Sequence, residues 1–310
     1  ESRRMVDAYA KAGGNFLDTA NRYTEGTSER FLGDFIAADR DHWVVATKYT
    51  LWTSRDDPNF SGNHRKNMIQ ACEASLKRLG SDYIDLYWVH AWDFTTPIEE
   101  VMRGLDDLVS AGKVLYVGIS DTPAWIVSRA NTIADFRGWS PFVGLQIRYS
   151  LIDRTAEADL LPMARALDLA VTPWSVLGAG VLTGKYSGGK QPADGRAKAG
   201  AATRERNLEI AESVVSVAEE IGCTPSQVAI AWVRQQDALV IPLIGARNLP
   251  QLSDNLGALD IRLTDDQLAT LDQVSRVDLG FPHNFVTDPN ILDIVSGGSW
   301  ERLDNHRRGR

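Results

Sequence analysis

Cysteine is scarce in this sequence, because its 310 residues include only Cys72 and Cys223. Two thiols far apart in the chain do not make the disulfide framework of a small secreted protein, so we expect buried free thiols and a cytoplasmic location. No apolar run approaches the roughly 20 residues that cross a bilayer, and no secretory signal opens the chain. The sequence therefore predicts neither a membrane protein nor an exported precursor.

Positive charge is also in the minority, since 33 lysines and arginines against 41 aspartates and glutamates leave a net charge of -8. Nucleic acids and anionic membranes require clustered positive charge, so neither is expected as a partner. A small-molecule ligand is the expected partner, and the sequence makes no prediction of oligomeric state. With 44% hydrophobic residues, the chain can bury one large core.

Short β-branched or aromatic runs alternate with longer amphipathic segments along the chain, as in repeated βα units around a parallel sheet. Because the repeat continues unbroken, we predict one α/β domain over residues 1–310, a (β/α)8 TIM barrel rather than an open doubly wound sheet. The predicted strands are Asn15–Ala20, Trp43–Tyr49, Ile84–His90, Val114–Ser120, Phe142–Ser150, Leu169–Ser175 and Leu239–Gly245. The predicted helices include Thr27–Arg40, Asn63–Leu79, Pro97–Ala111, Pro123–Phe136, Ala156–Leu167, Asn248–Leu259 and Asp265–Ser275.

The strand count is seven, one fewer than an eight-fold barrel needs. The chain opens with an amphipathic helical segment, so we expect the first barrel strand to lie upstream of Glu1 and to pair beside Asn15–Ala20. Ser187–Arg206, rich in Gly, Ala, Lys and Arg, is predicted to be a mobile loop that orders over a bound cofactor. Val277–Arg310 is predicted to be a C-terminal tail, and its basic end a solvated terminus.

Three ionisable residues close three successive predicted strands: Asp18, Lys48 and His90. The carboxyl ends of barrel strands meet at one mouth, which is where active sites of this architecture are built. Tyr23 follows Asp18 in the loop that leaves the same strand, so its phenol can reach the same mouth. Any one of these residues could be structural, as a helix cap, a surface charge or a core histidine, but their joint placement favours a catalytic group.

The chemistry of these four residues suits proton delivery. A phenol is a poor acid near neutrality unless an ammonium lies beside it, and a buried ammonium in turn needs a carboxylate. Lys48 and Asp18 supply that pair, and a neutral His90 imidazole can orient a carbonyl oxygen. The sequence contains no phosphate-cradling P-loop and no convincing set of metal ligands, so a metal-dependent barrel hydrolase is disfavoured.

The segments that carry these residues resemble the aldo-keto reductase family. In the segment GGNFLDTANRYTEGTSERFLG the family's catalytic aspartate and tyrosine fall on Asp18 and Tyr23, while VVATKY places its lysine on Lys48 and DLYWVH its histidine on His90. The resemblance covers Glu1 to about Phe285. It implies a (β/α)8 barrel and reduction of aldehydes or ketones by hydride from NADPH, with Tyr23 as general acid.

The resemblance also implies a binding site for NADP(H). It places Ser120, Asp121 and Gln146 at the nicotinamide carboxamide, although Asp121 stands where the family often has asparagine, and a carboxylate cannot donate a hydrogen bond. Trp174 is expected to stack on the nicotinamide, and Arg247 to bind the 2′-phosphate, which favours NADP over NAD. The other residues implied around the pyrophosphate and adenosine are Ser175, Leu177, Gly178, Lys185, Gly245, Gln251 and Asn255.

Four aromatic residues follow the strands that end at Lys48 and His90, and we predict that they ring the mouth: Tyr49, Trp52, Trp92 and Phe94. Aromatic walls favour flat or apolar carbonyl compounds as substrates. The alternative function is that of a non-catalytic NADP-binding regulatory subunit, because the resembled family includes channel-associated proteins. The presence of all four tetrad residues favours the enzyme.

Overall fold

A computed structural model describes residues 1–186 and 204–304 of the chain. Six strands form one sheet in which each strand is parallel to its neighbour and the spatial order follows the chain. The strands are β1 (Phe16–Asp18), β2 (Val44–Tyr49), β3 (Ile84–Val89), β4 (Val114–Ser120), β5 (Phe142–Arg148) and β6 (Ala170–Trp174). Parallel neighbours need crossover connections, and helices supply them.

Helices cover the outer face of this sheet, and each helix from α2 to α5 contacts the next one along the chain. In the described ranges the helices are α1 (Ser2–Lys11), α2 (Thr27–Ile36), α3 (Arg65–Leu79), α4 (Ile98–Ser110), α5 (Ala124–Arg137), α6 (Leu160–Ala166), α7 (Glu205–Ile221), α8 (Pro225–Arg234), α9 (Leu249–Leu256), α10 (Asp265–Ser275), α11 (His283–Val286) and α12 (Pro289–Ser296). The predicted α/β class with a parallel sheet is confirmed, and β4 and α10 begin and end at the predicted residues.

The seventh predicted strand, Leu239–Gly245, does not form a regular strand. It runs beside β6 and makes three backbone hydrogen bonds with that strand, but only one bridge, between Val171 and Val240. The Val171 amide donates to the Leu239 carbonyl, and the Ile241 amide donates to the Val171 carbonyl. The Leu243 amide donates to the Pro173 carbonyl. Pro173 has no amide hydrogen to return, so the ladder is interrupted there.

Two further differences lie in the C-terminal third of the chain. The helices α7 and α8 occupy residues for which no helix is predicted above, and α7 begins at Glu205, inside the segment predicted to be a loop. Residues 187–203 of that loop and the basic end at 305–310 lie outside the described residues. The predicted tail contains α11 and α12.

Side chains alternate along the strands between an outer core under the helices and the interior of the curled sheet. In β2 and β3, Tyr49 and Tyr87 belong to the outer core, whereas Trp88 faces the interior. Gly118 and Gly144 on the next two strands make room for the Trp88 indole, because added Cβ atoms would lie 2.4 and 3.0 Å from it. Trp88 therefore fills the interior below the strand ends.

The helix α1 contacts α9, and its residues Met5, Val6 and Tyr9 line a cavity together with β1 and residues 241–246.

The barrel strand that is predicted upstream of Glu1 is not tested by residues 1–310 and stays a prediction. Both cysteines are free, Cys72 being buried as expected and Cys223 partly exposed. No helix in the described ranges is long and apolar enough to span a bilayer.

Candidate active site

The carboxyl ends of β1 and β2 hold a buried ion pair between Asp18 and Lys48. The Lys48 side chain is 0% exposed, and its ammonium donates hydrogen bonds to three oxygens: Asp18 Oδ2, the Thr19 carbonyl at 2.8 Å and Tyr23 Oη at 3.4 Å. An ammonium has three protons, so each has an acceptor. The other oxygen of Asp18 accepts a hydrogen bond from Gln146 Nε2 at 3.0 Å. This network fixes the ammonium beside the phenol of Tyr23.

Tyr23 begins a tight turn, Tyr23–Gly26, in which Thr24, Glu25 and Gly26 all have left-handed backbone conformations. Gly26 has a φ of 83°, which favours glycine, and an added Cβ would lie 2.8 Å from the Arg78 side chain, which would have to shift. The turn leads into α2, whose buried Glu29 pairs with Arg78 at 2.5 Å and accepts a hydrogen bond from Thr47 at 2.6 Å. A charged network within the fold thus anchors the turn that presents Tyr23.

His90 follows β3 directly, and its imidazole packs edge-on against the Tyr23 ring with centroids 5.8 Å apart. Burial lowers the pKa of His90 to about 4, and the nearby positive charge of Lys48 acts in the same direction. The imidazole is therefore neutral near pH 7. Its Nδ1 is buried and has no hydrogen-bond partner among the residues that the structure describes.

A cavity of about 820 Å³ opens at the strand ends. Of the residues predicted for the site, it is lined by Asp18, Tyr23, His90, Ser120, Asp121, Gln146, Trp174 and Gly245. Lys48 is fully buried behind Tyr23. The structure thus brings together the four predicted catalytic residues and the four residues assigned to the nicotinamide by resemblance.

The other residues predicted to bind the cofactor, Gly245 apart, do not line this cavity. Ser175, Leu177, Gly178 and Lys185 belong to the turns after β6, where Gly178 has a φ of 55° and a buried backbone. Arg247 immediately precedes the cap of α9, and its amide donates to Gln251 Oε1 at 3.0 Å. Gln251 is exposed, whereas Asn255, one turn later, is buried.

The prediction that Tyr49 rings the mouth is wrong. Tyr49 is 0% exposed, stacks on Tyr87 in the outer core and donates its hydroxyl to the Asn63 carbonyl at 3.2 Å. The cause is strand alternation: Tyr49 follows the inward-facing Lys48 and so points outward. Burial raises the pKa of the Tyr49 phenol well above its usual value.

The other three aromatic residues follow the strands as predicted but do not line the cavity in the described part of the chain. Trp52 packs against the guanidinium of Arg22, whose central carbon is 3.9 Å from the ring centroid. Trp92 is partly buried against the outer core, and Phe94 is 68% exposed.

Several cavity residues escaped the sequence analysis. They are mostly apolar residues of α1, β1, α9 and the segment that follows α8 and runs beside β6: Met5, Val6, Tyr9, Phe16, Leu17, Ile241, Pro242, Leu243, Ile244 and Leu252. The apolar face of the opening helix and the run ALVIPLIG were the signals available. Both patterns indicate burial, and neither tells a core wall from a cavity wall.

Comparison with known proteins identifies the family. A sequence profile described as "Aldo/keto reductase family" matches residues 1–276. The chain belongs to the aldo/keto reductase family. It is 39% identical to norsolorinic acid reductase of Aspergillus flavus, over 99% of this chain and 80% of that protein. It is 39% identical to an aryl-alcohol dehydrogenase (NADP+) of Phanerodontia chrysosporium, over 95% of this chain and 81% of that protein.

A probable aryl-alcohol dehydrogenase of Saccharomyces cerevisiae is 38% identical, over 92% of this chain and 90% of that protein. Aldo/keto reductases are oxidoreductases of the (β/α)8 barrel class, and the parallel sheet with its helical cover agrees with that class. Membership places the chain among oxidoreductases that interconvert carbonyl groups and alcohols.

Proposed function

We propose that this aldo/keto reductase reduces aldehyde or ketone carbonyls to alcohols, with NADPH as hydride donor and Tyr23 as the acid. The observation that carries the proposal is the position of the Lys48 ammonium, which donates to Tyr23 Oη while Asp18 neutralises its charge. Because the phenol oxygen accepts this hydrogen bond, its own proton is free to be donated into the cavity.

Each residue of the site has a distinct task in this proposal. Tyr23 donates its proton to the carbonyl oxygen, and Lys48 stabilises the phenolate that results. Asp18 keeps the buried ammonium in place, and neutral His90 forms the side of the cavity against which the Tyr23 ring packs. Bound NADPH would supply the hydride.

The volume and lining of the cavity support the proposal of a nicotinamide nucleotide and a flat substrate. A volume of about 820 Å³ lies within the range of small-molecule sites. Trp174 offers a flat apolar surface, and the polar side chains of Ser120 and Gln146 lie at neighbouring strand ends. Tyr9 and Phe16 add aromatic surface, so we propose aromatic aldehydes and ketones as substrates. The names of the aryl-alcohol dehydrogenase relatives support this class.

The test is reduction of benzaldehyde and 4-methoxybenzaldehyde, followed by the absorbance of NADPH. Tyr23→Phe removes one oxygen and keeps the ring, so we expect turnover to fall about 100-fold while the affinity for NADPH is retained. Lys48→Met should lower turnover as well, because the phenolate loses its ammonium. Tyr116→Phe, which removes the hydroxyl of a surface tyrosine on β4, serves as control and should leave turnover unchanged.

Near-normal reduction by folded, NADPH-saturated Tyr23→Phe would refute the assignment of Tyr23. Binding of NADPH without reduction of any carbonyl compound by the wild type would favour the regulatory-subunit alternative.

A further inference from the structure

Asp121 is a carboxylate that faces the cavity directly after β4. Its backbone is left-handed, with a φ of 41°, and its amide donates to the Gln146 carbonyl at 3.3 Å. Its Oδ1 accepts a hydrogen bond from Trp174 Nε1 at 3.3 Å. Both side chains line the same cavity as Tyr23 and His90. The carboxylate therefore lies at the edge of the flat indole wall, close to where the chemistry is proposed.

Asp121 forms no ion pair within residues 1–186 and 204–304, where no lysine or arginine nitrogen lies within 4.0 Å of its carboxylate. The two cations that act on its pKa pair elsewhere, Lys48 with Asp18 and Arg148 with Asp153 at 3.5 Å. Partial burial raises the pKa of the Asp121 carboxyl, while the Trp174 hydrogen bond and the charges of Arg148 and Lys48 act in the opposite direction. The charge of Asp121 is thus available to a ligand in the cavity.

We propose that Asp121 selectively stabilises the oxidised form of the nucleotide, binding NADP+ more tightly than NADPH. The inference rests on the proposed function, which puts the nicotinamide against Trp174 and within reach of Tyr23. The two nucleotides differ in ring charge, which is +1 in NADP+ and zero in NADPH. A neighbouring carboxylate attracts only the charged ring, and a cavity walled by protein screens this attraction less than water does.

The negative charge of Asp121 also affects the proposed hydride transfer. Bound NADPH would supply a hydride to the carbonyl carbon and would be left with one positive charge on its ring, while Tyr23 gives its proton to the carbonyl oxygen. Asp121 stabilises that charge as it develops and so favours hydride donation. The accompanying cost is slower release of NADP+, because the carboxylate also holds the product.

Calorimetric titration of the wild type and variants with NADP+ and with NADPH tests the proposal without any turnover. Asp121→Asn keeps an oxygen for the Trp174 hydrogen bond, and asparagine tolerates the left-handed backbone. We expect the ratio of the NADPH dissociation constant to that of NADP+ to fall about 10-fold in this variant, mainly through weaker binding of NADP+. Asp121→Gly, which also tolerates this backbone, should show the same fall.

Asp135→Asn is the matched control, since it removes an exposed carboxylate on α5 that does not line the cavity, and the ratio should stay that of the wild type. An unchanged ratio of the two dissociation constants in Asp121→Asn would overturn the proposal. This holds even if the ratio changes in Asp121→Gly, because that result would show that the hydrogen bond to Trp174 matters and the charge does not. Failure of the wild type to bind either nucleotide is a separate result that would refute the proposed function as well.

Discussion

The imidazole of His90 is a partly buried, neutral ring near the buried ammonium of Lys48. In an unfolded chain the same imidazole has a pKa near 6.5. Between pH 6.5 and about 4, the unfolded chain therefore takes up a proton that the folded protein does not. Stability that is present above pH 6.5 is lost as the pH falls through this window.

We expect His90→Gln to remove this dependence. The free energy of unfolding of the wild type should fall relative to that of the variant by up to about 1.4 kcal/mol per pH unit between pH 6.5 and 4. Urea unfolding of both proteins at pH 7.5, 5.5 and 4.5 measures the difference. A difference that stays constant over this range would contradict the neutral, desolvated state assigned to His90.

At the scale of elements, the start of α9 carries the prediction that Arg247 binds the 2′-phosphate, and the Leu249 amide there already donates to the Glu1 carboxylate at 2.8 Å. Asn248 caps the helix by accepting a hydrogen bond from the Gln251 amide at 3.0 Å, and Gln251 in turn accepts one from the amide of Arg247. The helix dipole adds partial positive charge at the same end. Arg247 thus directly precedes a helix N-terminus, and Gly245 and Ala246 before it line the cavity.

Arg247→Ala should weaken NADPH binding by about 1.5–3 kcal/mol and leave NADH binding nearly unchanged, because only NADPH carries a 2′-phosphate for a charge-assisted contact. Dissociation constants for both nucleotides give the comparison. Arg262→Ala, at another exposed arginine, is the control for loss of one positive charge. Equal losses for NADPH and NADH in Arg247→Ala would exclude Arg247 from this role.

At the scale of the whole molecule, Arg154 joins parts of the chain that are distant in sequence. It is 8% exposed and forms hydrogen bonds with Glu157 at 2.7 Å, Asp272 at 2.8 Å and Ser275 at 2.7 Å. Its guanidinium also lies 5.0 Å from the ring centroid of Trp232. The loop after β5 is thereby tied to α8 and α10.

Arg154→Met should lower the free energy of unfolding by about 1.5–3 kcal/mol, since two partly exposed carboxylates, Glu157 and Asp272, lose their hydrogen bonds to the buried guanidinium. Arg129→Met breaks an ion pair with Glu99 in which both side chains are more than half exposed, so its cost should be below about 1 kcal/mol. Denaturant unfolding of the two variants tests the contrast. Equal costs would show that the Arg154 network does not hold the C-terminal helices in place.

The βα repeat and the approximate bounds of six strands could be predicted from local patterns, and so could the convergence of Asp18, Lys48 and His90. Parallel strands have their carboxyl ends on one edge of the sheet, so the residues at the ends of successive strands lie close together independently of the other segments. The Thr224–Gln227 capping box at the start of α8 was a local signal as well, and it could have located that helix.

Contacts between distant segments are what only the tertiary structure decided. The hydrogen bond from Trp174 to Asp121 joins residues 53 positions apart, and the interruption beside Pro173 depends on which segment pairs with β6. The separation of Tyr49 from Lys48, by contrast, follows from strand alternation within β2, a local pattern that the prediction of an aromatic mouth did not use. Hydrophobic periodicity is a property of one segment, so the sequence of that segment indicates which of its faces is buried. Hydrogen bonds and charge balance in a cavity depend instead on side chains that several segments bring together.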